Sequence, residues 1–79
     1  MKARIHITLK PGVLDPQGKA IENALNHLGF NGIENVRQGK LIELDLQETD
    51  QTRARTEVDA MCKRLLANTV IESWRIELL

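Results

Sequence analysis

Two histidines, one cysteine and a scatter of carboxylates are the residues that could do chemistry here, and their spacing decides what they can do. His6 alternates with apolar neighbours and His27 falls in a helical pattern. Neither has a cysteine or carboxylate at ligand spacing, so no metal site is expected. Cys62 sits among apolar residues at intervals of three and four, which is where a buried structural thiol belongs, and neither histidine is spaced to act as its base. Gly39-Lys40 lacks the run of backbone donors and the following Ser or Thr of a phosphate loop, and a turn accounts for it. No Gly-x-Ser-x-Gly, glycine-rich dinucleotide loop or pair of catalytic carboxylates is found. The expectation is therefore a chain without catalytic, cofactor-binding or metal-binding residues of its own.

Composition narrows the partners. Seventy-nine residues make one domain, residues 1–79, in the size range where oligomerisation often supplements a modest core. Eleven basic and eleven acidic residues cancel, leaving no electrostatic footprint for nucleic acid or an anionic membrane. A protein partner is expected. No apolar run has the length of a membrane span, Met1-Lys2-Ala3-Arg4 leads straight into a strand pattern without a signal-peptide segment, and one cysteine excludes an internal disulfide. These features point to the cytoplasm.

The elements that position these residues are organised around Pro11-Gly-Val-Leu-Asp-Pro-Gln-Gly18, which holds both prolines. Pro11-Gly12 is a turn signal. Asp15-Pro16 reads as N-cap and first helical position, because the carboxylate accepts orphan helix N–H groups and proline has no donor to lose there. Before it, Ile5, Ile7 and Leu9 alternate with Arg4, His6 and Thr8 in a strand from Ala3 to Leu9. After it, Ala20, Ile21, Ala24, Leu25 and Leu28 form one face of a helix from Pro16 to Leu28. Gly29 fits a left-handed helix ending, with Phe30 folding back into the core.

A short strand at Ile33–Val36, a turn at Arg37-Gln38-Gly39-Lys40 and a strand at Leu41–Gln47 read as a hairpin. Thr49 or Asp50 caps a second helix carrying Ala54, Val58, Met61, Cys62, Leu65 and Leu66 to about Asn68. A last strand, Ile71–Leu78, places Trp74, Ile76 and Leu78 on one side. The order βαββαβ predicts an α+β, ferredoxin-like sandwich: a four-stranded antiparallel sheet in the order 4-1-3-2 with two helices on one face. The expected core is Ile5, Ile7, Leu25, Leu28, Ile42, Leu44, Val58, Leu65, Trp74 and Ile76. RNA-binding members of this fold stack bases on aromatic residues of the open face. Here those positions are Arg4, His6, Thr8, Glu43 and Asp45, a lattice of opposite charges unsuited to bases.

Read end to end, Leu9 to Gly18, Leu28-Gly29-Phe30, Val36-Arg37-Gln38-Gly39-Lys40 and Leu65 to Glu72 resemble the PurS family, small subunits of phosphoribosylformylglycinamidine synthase. Two departures are Thr69, where the family usually has proline, and Trp74, where a smaller aromatic is common. What the resemblance implies is an accessory or scaffold subunit in de novo purine biosynthesis. That complex converts formylglycinamide ribonucleotide, ATP and glutamine to formylglycinamidine ribonucleotide. The chain would be a non-catalytic part of a glutamine-dependent, ATP-consuming C–N ligase, bridging a synthetase subunit (PurL) and a glutaminase subunit (PurQ) and aiding ammonia transfer. ATP, Mg and glutamine would be used by the complex and no cofactor by this chain. A homo-oligomer, most simply a dimer, is expected.

Contact with partners is expected from Val13, Leu14, Asp15 and Gln17 in the loop before the first helix and from Arg37 and Lys40 in the hairpin turn, since loops on a rigid scaffold often carry recognition. Local capping explains Asp15 equally well. The alternative is a regulatory module similar to the ACT domain, with Gly12 approaching an amino-acid ligand.

Overall fold

A computed structural model describes residues 1–79. Alternating residues place Ala3, Ile5 and Ile7 on one face of β1 (Lys2–Leu9), where all three are buried. β1 is the centre of the sheet because both neighbours pair with it antiparallel. On one side β2 (Gly39–Asp45) sets Ile42 opposite Ile5. On the other, β3 (Glu72–Leu78) sets Ile76 opposite Ile5. Ile42, Leu44, Trp74, Ile76 and Leu78 then share the face of Ile5 and Ile7, as period-two alternation requires.

Asp50, rather than Thr49, caps α2 (Gln51–Met61), its carboxylate accepting the N–H groups of Thr52 and Arg53. Val58 and Cys62 descend from this helix onto Ala3, Ile5 and Ile7 to form the core. α2 does not run on to Asn68. Cys62–Leu66 widens into a π-turn, in which the Ala67 N–H reaches back to the Cys62 carbonyl at 3.0 Å. A wider turn advances less per residue, so Leu66 swings toward the core while Leu65 is left 83% exposed. Leu65 is thus removed from the expected core.

The expected four-stranded sandwich is corrected to a three-stranded sheet, in the order β2-β1-β3. Residues Ile33–Val36 form no strand, and no hairpin joins them to β2. The Val36 N–H donates instead to the Glu22 carboxylate at 3.3 Å, and just beyond the expected strand the Gln38 N–H donates to Asp15 at 2.7 Å. Gly32 and Asn35 both take positive φ, which breaks the extended run on either side of Ile33. The α+β class and the central first strand stand, with the expected third and fourth strands on its two sides.

α1 (Pro16–His27) forms as its pattern predicts and ends on Leu28 and Gly29. The Gly29 N–H bonds the Asn26 carbonyl and the Phe30 N–H the Leu25 carbonyl, both at 3.1 Å, with Gly29 at φ +95°. This is a Schellman ending. The helix takes no substantial share in the packing between elements, which joins β1 to its two neighbours and α2 to β3. Leu28 and Phe30 are accordingly 74% and 57% exposed, and Leu25 is half-buried, so none of these enters the core as expected. With α1 extended away from the sheet, the radius of gyration is 15.8 Å, against about 12 Å for a compact chain of this length.

Candidate functional site

The two segments joining α1 to the sheet, residues 10–15 and 36–39, form a neck, and each holds the other. Asp15 caps α1 through Oδ1, which accepts the Gly18 N–H at 2.9 Å. Its Oδ2 accepts the Gln38 N–H from the returning segment at 2.7 Å. Arg37 reaches in the opposite sense: its Nη2 donates to the carbonyls of Val13 and Lys10 at 2.9 and 3.1 Å, and more weakly to that of Leu9. These two side chains are therefore crossed clamps. Backbone N–H donors from Gln38 and Gly18 hold the Asp15 carboxyl below its usual range, with Arg37 adding to the effect.

Gly18 is buried between them. A Cβ there would meet the Val36 carbonyl oxygen at 2.3 Å and the Asp15 carboxylate at 2.8 Å, so only glycine lets the helix and the returning chain approach this closely. Glu22, one turn on, bonds Lys19 Nζ at 3.0 Å as well as the Val36 N–H, and the Lys19 contact is the larger cause of its lowered pKa.

Of the six residues expected at partner surfaces, Asp15 and Arg37 are thus committed to the neck itself. Val13 is half-buried and lends its carbonyl to Arg37. Leu14, 77% exposed, and Gln17 project from the neck, while Lys40 Nζ lies 4.0 Å from the Glu72 carboxylate. The neck therefore brings the two expected loops together. Leu14, Lys19 and Arg37 line a polar concavity of about 520 Å³ on one side of it, and Gln17 and Lys40 one of about 240 Å³ on the other. Gly12 has open space around it.

Sequence reasoning missed Glu22, Gly18 as a contact residue, and the bond from Trp74 Nε1 to Asp59 Oδ1 at 3.0 Å. No local spacing signals these pairs. The open face carries the expected lattice, with Arg4 Nε 2.8 Å from Glu43 and His6 Nε2 3.3 Å from Glu77. No helix is long and apolar enough to cross a membrane.

A three-stranded sheet with one covering helix, a second helix held out on a clamped neck and a large share of its apolar residues uncovered has the build of an assembly subunit. The chain belongs to the family PurS: phosphoribosylformylglycinamidine (FGAM) synthase, which it matches over residues 2–79. It is 49% identical over 75 residues to the phosphoribosylformylglycinamidine synthase subunit PurS of Synechocystis, covering 95% of this chain and 75% of that one. The crystal structure of Methanocaldococcus jannaschii PurS superposes with a TM-score of 0.87 at 45% identity, covering 96% of this chain and 92% of the other. A chain of the structure of PurLQS from Thermotoga maritima superposes with a TM-score of 0.89 at 29% identity, covering 99% and 95%. The ACT-like alternative is left without support.

Proposed function

We infer that this chain is the PurS subunit of phosphoribosylformylglycinamidine synthase and works as a scaffold. It bridges the synthetase subunit, which uses ATP and Mg, and the glutaminase subunit, which releases ammonia from glutamine, and it aids ammonia transfer between them in the cytoplasm. The observation that carries this reading is the whole-chain likeness to a chain solved within PurLQS, a structure whose name joins three subunits. The architecture supports it: Asp15 and Arg37 hold the chain's own backbone, while Leu14, Leu28, Phe30 and Leu65 among its large apolar side chains are exposed. Asp15 and Arg37 are spent on the neck, Cys62 is buried, and desolvation raises its thiol pKa, the reverse of what a nucleophile needs. The exposed Leu14 on one side of the neck and Gln17 and Lys40 on the other are its outward contact groups. The chain works as a homo-oligomer, most simply a dimer, which supplies cover for the helix that its own sheet leaves bare.

Size-exclusion chromatography of this chain mixed with its synthetase and glutaminase tests the bridging role. Co-elution of all three is expected, and loss of the glutaminase from the assembly on omitting this chain. A synthetase–glutaminase complex that forms equally well without it overturns the role.

A further inference from the structure

Asn31-Gly32 lies just beyond the outer end of α1, where the chain reverses toward the neck. Both residues are exposed, and a Cβ built at Gly32 would meet nothing within 4 Å outside its own sequence neighbours. Gly32 takes φ +79°, a conformation that favours glycine, so the residue after Asn31 has no Cβ to shield its amide nitrogen. That N–H donates to no acceptor within the protein. Every other asparagine is held. Asn23 and Asn26 lie within α1, whose turns engage the N–H groups that follow them, and Asn26 Nδ2 also donates to the Glu22 carbonyl at 3.0 Å. The Val36 N–H behind Asn35 is taken by the Glu22 carboxylate. Asn68 Oδ1 accepts the Val70 N–H at 3.0 Å, and the β-branched Thr69 follows it.

We propose that Asn31 is a site of self-deamidation, in which the free Gly32 nitrogen attacks the Asn31 side-chain carbonyl. Solvent base removes the Gly32 amide proton as the new C–N bond closes a five-membered succinimide ring. The bond from Cγ to Nδ2 breaks, and the nitrogen leaves as ammonia with that proton returned to it. One water then opens the ring at either carbonyl, giving aspartate or isoaspartate at position 31. The sum is one amide and one water converted to one carboxylate and one ammonium ion, with no change of oxidation state. The product adds a negative charge to a chain whose formal net charge is zero. That charge falls beside Leu28 and Phe30, which are exposed at the same end of the helix. In the isoaspartyl form the main chain also gains a methylene between α1 and the segment returning to the neck.

The test incubates the full chain, folded or unfolded in urea, in warm, mildly alkaline buffer. Released ammonia is measured, and fragmentation of tryptic peptides reads each asparagine separately. Asn31 should lose its amide in the folded chain at a rate close to that in urea, while Asn23, Asn26 and Asn35 stay intact there. Isoaspartate should appear at position 31. Asn31→Gln, for which the same attack closes a six-membered ring less readily, should abolish the early ammonia. An Asn31 that stays intact in the folded chain, or loss spread evenly over the asparagines, overturns the assignment.

Discussion

Asp15 uses both carboxylate oxygens at once, and that sets what its replacement does. Asparagine keeps one acceptor, so in Asp15→Asn either the Gly18 or the Gln38 N–H must face an amide NH2. The variant should melt lower at neutral pH, and circular dichroism melts would detect it. A carboxyl whose pKa is depressed by folding contributes stability that is complete above its free value of 3.8 and is lost as the pH falls below it. The stability gap between the natural chain and Asp15→Asn should therefore be full at pH 6 and narrow below that value. A gap independent of pH would contradict the two-donor cap. At Gly18, alanine must displace the Val36 carbonyl, since the clash is with backbone. Gly18→Ala should accordingly destabilise more than Gly12→Ala, where the added methyl meets open space, and paired urea titrations would check the order. The cap itself was legible in Asp15-Pro16 because it is local. Its second bond was not, since Gln38 lies 23 residues away and nothing in the chain's period brings the two together.

At the level of elements, periodicity read what lies in regular structure and failed where side chains replaced the ladder. β1, α1, the strand at β2, the start of α2 and β3 all stand near their expected bounds. The strand expected at Ile33–Val36 did not form: positive φ at Gly32 and Asn35 breaks the extended run, and the Glu22 carboxylate takes the Val36 N–H that a neighbouring strand would have held. The second helix lost its last turns to the π-turn at Cys62, which no apolar spacing announces. Two substitutions separate the expected core from the actual one. Ile5→Ala, at a fully buried position in the central strand, should cost about 2–5 kcal/mol. Leu65→Ala, outside the core after the π-turn, should stay within about 0.5 kcal/mol in the isolated chain. Denaturant midpoints reversed in order would contradict the assignment of the core to β1, Val58 and Cys62.

The whole molecule is a small platform with a single buried polar side chain, Asp15, and with large apolar side chains such as Leu14, Leu28, Phe30 and Leu65 exposed. Charge balance and the lack of catalytic spacing gave the class of partner before any fold was known. The run Leu14 to Gly18 pointed to the family, and its glycine is now explained by the backbone it must approach. The outward course of α1 was not legible, because an apolar helical stripe looks the same whether its own sheet or another molecule covers it. The central claim is that this chain connects two active sites and supplies neither. The most direct measurement compares nitrogen donors in the reconstituted synthetase and glutaminase, with and without this subunit. Turnover with free ammonia should be nearly unchanged by its omission, while turnover with glutamine should fall sharply. Glutamine-dependent turnover that persists in full without it, or ammonia-dependent turnover lost to the same degree, would contradict the account.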